Sequence, residues 1–357
     1  MWHPEAGEVA DMLFSHEEVI VRRGPRTGLP MILAMHSSVL GQAVGGCRLW
    51  SYPRWQDGLD DALRLSEGMS RKCAVAGLPN GGGKTVVAMP EGIRLTGDMR
   101  RDALHDVGDL VESLGGRYAT GPDAGTSADD MVVVSERTAY VFCLPVDRGG
   151  SGDASPATAH GVMAALRTTV GLLTGSPVLA GRRFAVVGVG HVGTHLARQL
   201  ARAGAELVIS DSDPCKEALA ERLGAEFLAP SDALTSSVDV LVPAALGGIL
   251  TRELVPQLRC SAVVGPANNQ LADPNVADLL REHNILWAPD YVVNAGGVIH
   301  AVAREILGED TEKARTRVGE IGNTLATIFE AAAASGATPA QTADDLAQHR
   351  LLAAGSA

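Results

Sequence analysis

Phe184-Ala185-Val186-Val187-Gly188-Val189-Gly190-His191-Val192-Gly193 is an apolar run that passes without a break into glycines at the spacing G-x-G-x-x-G. The run predicts a buried strand, and Val192, Leu196, Leu200 and Ala203 beyond it share one side of a helix. Strand, turn and helix in that order are the context in which the glycine pattern binds a dinucleotide. Leu207-Val208-Ile209-Ser210 predicts the next strand, ending at Asp211, roughly 20 residues on, where an acid accepts the adenosine ribose hydroxyls and repels a 2′-phosphate. NAD is therefore the expected cofactor, bound by Gly188, Val189, Gly190, His191, Val192 and Gly193 with Asp211 and Ser212. His191 needs no catalytic role, since its backbone N–H is what the pyrophosphate would meet.

Working towards the C-terminus, short apolar strands are expected over 238–242, 262–265 and 285–288, alternating with helical stretches, which makes this half a doubly wound parallel sheet. Their loops carry Ala244 and Ala245, Asn268, and Asn294, all expected at the carboxyl edge where a cofactor binds. Asn268 and Asn294 could instead cap helices. From about Thr311 the chain reads as helical and Ala-rich. Towards the N-terminus, Asp147-Arg148-Gly149-Gly150-Ser151-Gly152-Asp153 is the clearest change of composition and reads as a hinge. The expected division is an α/β substrate-binding domain over 1–148, the dinucleotide domain over 149–330, and a helical segment over 331–357 that packs back on the first domain or on another subunit.

In the first half, Gly77-Leu78-Pro79-Asn80-Gly81-Gly82-Gly83-Lys84-Thr85 delivers a lysine onto an apolar run. Residues without Cβ let a backbone come close to a ligand, and a lysine emerging there can lose enough water to lower its pKa and act as a base. A surface turn followed by a strand with a solvated lysine is the plainer reading. A phosphate-binding P-loop would need glycine at position 78, where Leu78 stands. Upstream, Leu29 to Leu40 reads as a strand entering Gly41–Gly46. Gly58, Ala62, Leu65, Met69 and Lys72 then recur at helical spacing, so Lys72 lies on an apolar stripe, either snorkelling to water or awaiting a carboxylate. Asp123 falls in a turn after a strand, as a functional carboxylate or as a helix cap.

The chain has 357 residues, 46% of them hydrophobic and 20% charged, with a formal net charge of -12, which suits a soluble two-domain protein and speaks against a nucleic acid or an anionic membrane as partner. Five scattered cysteines give no metal-ligand spacing, so no metal is expected and reduced thiols in the cytoplasm fit best. Met1-Trp2-His3-Pro4-Glu5 has neither a basic nor an apolar leader pattern, so no export signal is expected.

Together these segments resemble, over nearly the full length, the amino-acid dehydrogenases that act on glutamate, leucine, valine and phenylalanine. The resemblance rests on Gly45-Gly46-Cys47-Arg48, Met69-Ser70-Arg71-Lys72, Gly81-Gly82-Gly83-Lys84, Gly121-Pro122-Asp123, the stretch 153–161, the glycine loop, Ala267-Asn268-Asn269 and Asn294-Ala295-Gly296-Gly297. It implies reversible oxidative deamination with NAD, without a metal, in a homo-oligomer. Lys72 is then the lysine that grips the substrate α-carboxylate, Lys84 the low-pKa lysine that activates water, and Asp123 the acid that exchanges protons with the reacting nitrogen. Thr158 and Asn268 match positions near the nicotinamide, Asn294 reaches the substrate, and Gly45 and Gly46 lie against it. The side-chain pocket corresponds to Val44, Gly121, Val298 and Ala301, small residues that, with the runs around Lys84 and Asp123, look most like the members acting on phenylalanine. Leucine or valine is the alternative substrate, and a non-catalytic NAD-binding protein the alternative class. Asn80 and Cys143 depart from the family pattern, which has mostly apolar residues at the first and often glycine at the second.

Overall fold

The structure, a computed structural model, describes residues 15–355, which divide into two units. The first holds 15–74, Pro79–Gly149 and 351–355; the second holds Val75–Leu78 and Gly150–Arg350.

Five strands form the sheet of the first unit: β1 (Glu18–Arg23), β2 (Pro30–Ser37), β3 (Ala43–Ser51), β4 (Gly81–Met89) and β5 (Tyr118–Pro122), in the order β1-β2-β4-β3-β5. β1 and β4 run antiparallel to β2, while β3 runs parallel to both β4 and β5. Alternation sends one row of side chains to each face. Helix α1 (Trp55–Val75) packs Leu59, Ala62 and Leu63 on the row containing Ile32, Ala34, Val86 and Ala88. Helices α2 (Gly97–Glu112) and α3 (Ala128–Ser135) bury the other row around Leu33, Met35, Cys47, Val87 and Tyr118.

The glycine runs differ from the sequence expectation. Gly81, Gly82 and Gly83 are not a turn before a strand but the first residues of β4, and Gly45 and Gly46 lie inside β3 rather than in a loop. The cause is crowding. A Cβ on Gly82 would stand 2.0 Å from the backbone nitrogen of Ser70 in α1, one on Gly81 1.9 Å from the carbonyl oxygen of Ser37, and one on Gly45 1.8 Å from that of Gly83. Helix and strands close at distances that no side chain allows.

The buried line of α1 also differs: it follows Gly58, Ala62, Ser66, Ser70 and Cys73, while Leu65, Met69 and Lys72 are half-buried beside it. Ser66 and Ser70 tolerate burial because their hydroxyls meet His16 Nε2 at 3.0 Å and His36 Nδ1 at 2.9 Å.

The second unit is built on six parallel strands: β6 (Arg183–Val187), β7 (Glu206–Ser210), β8 (Glu226–Phe227), β9 (Val240–Pro243), β10 (Ala262–Val263) and β11 (Leu286–Trp287). Their order is β11-β10-β9-β6-β7-β8, a doubly wound arrangement whose direction of winding reverses between β6 and β9. The crevice at the carboxyl ends of those two strands is where such sheets bind ligands. The helices are α4 (Ser155–Thr174), α5 (His191–Arg202), α6 (Glu217–Leu223), α7 (Pro230–Leu234), α8 (Val276–Glu282), α9 (Asp290–Val293), α10 (Gly296–Ala301), α11 (Thr311–Gly319), α12 (Ile321–Ser335) and α13 (Pro339–Gly355). α12 buries Ile321, Leu325, Ile328 and Phe329, and Gly161 of α4 leaves room for the Ile321 side chain. Through Arg350, whose guanidinium donates to the Val75 carbonyl at 2.8 Å, the C-terminal segment therefore groups with the second unit, and from Leu351 with the first. No helix among the described residues is long and apolar enough to cross a membrane.

Candidate functional site

Lys84 lies in β4 on the same row as Val86 and Ala88, the row facing α1. Its side chain is 6% exposed, and its ammonium nitrogen meets Asp123 Oδ2 at 2.8 Å. Asp123 follows β5 directly, and Thr126 Oγ1 fixes it by accepting from its backbone N–H at 2.9 Å while donating to the Cys47 carbonyl at 2.8 Å. Arg48 of β3 donates from Nε to that same Oδ2 at 2.7 Å and from Nη1 to Asp61 Oδ2 of α1 at 2.8 Å. Tyr52 donates its hydroxyl to Asp61 Oδ2 at 2.7 Å, and Arg64 holds Asp61 Oδ1 at 2.7 Å. Two cations thus occupy one oxygen of Asp123.

Burial, the largest influence, lowers the pKa of Lys84, Asp123 opposes it, and the Arg48 charge adds to the lowering. For Asp123 burial alone would raise the pKa, but Lys84 and Arg48 outweigh it and hold the carboxyl at about 2. The result is an ionised carboxylate beside an amine whose proton is loosely held. Gly46 makes the arrangement possible, because a Cβ there would stand 2.7 Å from Asp123 Cβ and 3.3 Å from Lys84 Nζ. Lys72 occupies the last turn of α1, two residues beyond the Ser70 that touches Gly82.

In the second unit, Gly188 turns sharply after β6 with φ 102°, and a Cβ there would meet Ala245 Cβ at 2.5 Å. A Cβ on Gly193 would stand 2.0 Å from the Gly188 carbonyl oxygen, whereas one on Gly190 would meet nothing within 4 Å. Two glycines serve packing, and the third leaves open space. Gly190 caps α5 without a side-chain bond, so the first N–H groups of the helix are left for an anion. Asp211 Oδ2 accepts the Val189 N–H at 2.8 Å and Oδ1 the Asp213 N–H at 3.0 Å, fixing the acid beside the loop; Ser212 next to it is exposed. These residues fit a dinucleotide.

On the other side of the winding reversal, Asn294 donates from Nδ2 to the Asn268 side-chain oxygen at 2.8 Å and to the Pro266 carbonyl at 3.2 Å. Its own Oδ1 is buried with no partner among the described residues, an acceptor that a ligand donor would satisfy. Neither asparagine stands at a helix N-cap; Asn294 instead follows α9 as its C-cap residue. Thr158, in α4, turns its hydroxyl to the Ala154 carbonyl at 3.0 Å and lies against Gly297 of α10.

Residues 12–140 match the family described as Glu/Leu/Phe/Val dehydrogenase, dimerisation domain, and residues 213–354 that described as Glutamate/Leucine/Phenylalanine/Valine dehydrogenase. The chain belongs to the Glu/Leu/Phe/Val dehydrogenase family. It is 40% identical over 347 residues to the phenylalanine dehydrogenase of Lysinibacillus sphaericus, covering 94% of this chain and 89% of that protein. It is 41% identical over 341 residues to the valine dehydrogenase of Streptomyces virginiae, covering 94% of each. Among solved structures, the L-tryptophan dehydrogenase from Nostoc punctiforme superposes with a TM-score of 0.83 at 36% identity, over 98% of this chain and 99% of that one.

Val44 is fully buried in β3, opposite Gly82, and Gly121 lies in β5. Val298 is half-buried and Ala301 buried in α10. The space that a side chain at Gly121 would occupy is filled by the chain itself: a Cβ there would stand 2.5 Å from Phe142 Cε2. The sequence reading missed Phe142, Tyr52 and Asp61, and it quoted Arg48 without giving it a role. For Arg48 a signal existed, since alternation with the buried Cys47 and Leu49 puts it on the Gly46 face. For Phe142 none existed. Cys143 adopts φ 59°, a conformation that glycine takes most readily. Asn80 is buried and ties the entry of β4 to the Gln42 carbonyl at 3.0 Å.

Proposed function

We propose that the protein catalyses the reversible NAD-dependent oxidative deamination of an apolar L-amino acid, in which the amino acid, NAD+ and water give a 2-oxo acid, ammonium, NADH and a proton. The observation that carries this reading is a buried lysine with a lowered pKa against an ionised carboxylate whose Oδ1 accepts no hydrogen bond from the described residues. The bound nicotinamide would accept hydride from the α-carbon. Lys72 grips the α-carboxylate. Asp123 Oδ1 accepts from the amino group and moves its proton. Lys84, as the neutral amine, takes a proton from water as that oxygen bonds to the α-carbon, and returns it as the carbon–nitrogen bond breaks. The open face of Gly190 and the free end of α5 take the pyrophosphate, with Asp211 on the ribose hydroxyls.

Two side-chain classes compete. The small residues Val44, Gly121, Val298 and Ala301 support L-phenylalanine, while the Phe142 ring against Gly121 favours the smaller leucine and valine. None of these four residues is a cation, which speaks against glutamate as the preferred substrate. A panel of L-amino acids with NAD+, read by NADH absorbance, tests both levels. A kcat/KM ratio of phenylalanine to valine above one supports the aromatic reading and below one the branched-chain reading; no NADH with any of them leaves a non-catalytic NAD-binding protein. Because the family matched by residues 12–140 is described as a dimerisation domain, the proposed enzyme is a homo-oligomer.

A further inference from the structure

Four polar groups of the first unit stand behind the proposed catalytic pair without belonging to it. Arg48 reaches forward to Asp123 and back to Asp61, and Asp61 is clamped by Tyr52 and Arg64. A guanidinium can bridge two carboxylates from different nitrogens in fixed directions, which an ammonium cannot. The arrangement is also partly buried, with Arg48 22%, Asp61 16% and Asp123 26% exposed at the side chain, so its charges act in a medium that screens them less than water does.

We propose that Arg48 is a positioning residue: it holds Oδ2 of Asp123 and so leaves Oδ1 to the reacting nitrogen, and it is itself aimed by Asp61. The inference rests on the reading of Lys84 and Asp123 as the proton-transfer pair. Without Arg48 the carboxylate could rotate about its Cβ–Cγ bond and meet Lys84 through either oxygen, and Lys84 would lose a cation that disfavours its protonation. The charged and titratable groups acting on Lys84 are Asp123 after β5, Arg48 of β3 and, from the opposite face of that strand, Cys47; from α1, Asp61 reaches it through Arg48, and Lys72 belongs to the same helix. Cys47 is pushed up to about 12 by burial and stays a neutral thiol. Removing Arg48 therefore makes Lys84 more basic.

The test compares wild type with Arg48→Gln, Arg48→Lys and Tyr52→Phe. In Arg48→Gln, kcat should fall on the order of 10-fold to 100-fold with little change in KM. The acid limb of its pH–kcat profile should move up by about one unit. Arg48→Lys should restore the limb, because the charge is kept, but not the full kcat, because the bridge is lost. Tyr52→Phe should show a small loss of kcat and an unmoved limb. Independently of turnover, pH-dependent acetylation of the Lys84 amine, read by mass spectrometry, should show the same upward shift in Arg48→Gln. If the amine titrates as in wild type in a folded Arg48→Gln protein, the inference falls. Should that variant fail to fold, an Arg48→Lys enzyme with wild-type kcat and pH profile overturns it instead. Absence of any dehydrogenase activity in wild type would sink the proposed reaction, yet the acetylation shift would still report on Arg48.

Discussion

Two glycine-rich segments stand at the start of the two working parts of this protein, and they use the missing side chain in opposite ways. Around Gly81–Gly83 every absent Cβ is replaced by the protein itself: the Ser37 carbonyl, the backbone of Ser70, the ring of Tyr118. In Gly188–Gly193 two glycines are filled in the same manner, but Gly190 faces open space at the free end of a helix. A glycine therefore announces close approach, and only the surroundings say whether a neighbour or a ligand approaches. The first segment places Lys84 by letting α1 lie on β4; the second leaves open space at a helix N-terminus, the proposed seat of a phosphate.

Substitution to alanine separates the two uses. Gly82→Ala drives a Cβ into a helix backbone that cannot move alone, so it should destabilise the protein by about 3 kcal/mol or more, measured by urea unfolding. A Gly82→Ala protein as stable as wild type would break the contrast at its stronger end.

Lys84→Ala asks whether that packing exists to deliver an amine. It should lower kcat by on the order of 10²-fold or more while the protein stays folded and binds NAD. The wild-type profile should also carry the mark of the lysine. Its neutral form is the active one, so kcat rises with pH through the lowered pKa and then levels off; this acid limb should vanish in Lys84→Ala. Stability follows the same sign: between the lowered folded pKa and the ordinary lysine value the unfolded chain binds more protons, so the lysine's contribution to stability grows with pH across that window. Near-normal kcat in the variant would end the assignment of Lys84 as base.

Gly190→Ala is the counterpart in the second unit. The position has room for a methyl group, so stability should change by no more than about 0.5 kcal/mol. NAD affinity should nevertheless weaken by roughly tenfold, because the Cβ enters the approach of the pyrophosphate. Titration of protein fluorescence with NADH measures it, and unchanged affinity would mean that the open space is not the phosphate seat.

The contrast also explains what could be read in the sequence. The doubly wound unit was legible because its strands are unbroken apolar runs and its glycines keep a fixed spacing, both local properties. In the first unit the glycines misled, since Gly81–Gly83 look like a turn until the neighbours that press on them are known, and those neighbours, Ser37 of β2, Ser70 of α1 and Tyr118 of β5, belong to three other elements. Lys84 and Asp123 could be singled out from their neighbours, but their 2.8 Å pairing joins two strands and a loop. Asp61 and Tyr52 belong to the site only because Arg48 reaches them across the face of the sheet. Sequence periodicity places a residue on a face; it does not say which residue of another element stands opposite.

The smallest expected effect concerns Gly121, a glycine filled by its own chain. Phe142 is 7% exposed and its ring occupies the space beside the missing Cβ. Gly121→Ala would therefore first collide with that ring and act through its displacement, instead of simply adding bulk for a substrate to meet. Phe142→Ala does the reverse and turns a filled glycine into an open one, like Gly190. If the vacated space adjoins the substrate side chain, the ratio of kcat/KM for phenylalanine to that for valine should rise by about fivefold, near 1 kcal/mol and the low end of what an apolar pocket discriminates. A modest value is expected because part of the space is lost to relaxation of the neighbours, which also costs stability, by about 3 to 5 kcal/mol for a buried phenylalanine. The ratio is therefore measured on protein shown to be folded at the assay temperature. An unchanged ratio in such protein would assign Phe142 to packing alone and return the choice between aromatic and branched-chain substrates to Val44, Val298 and Ala301.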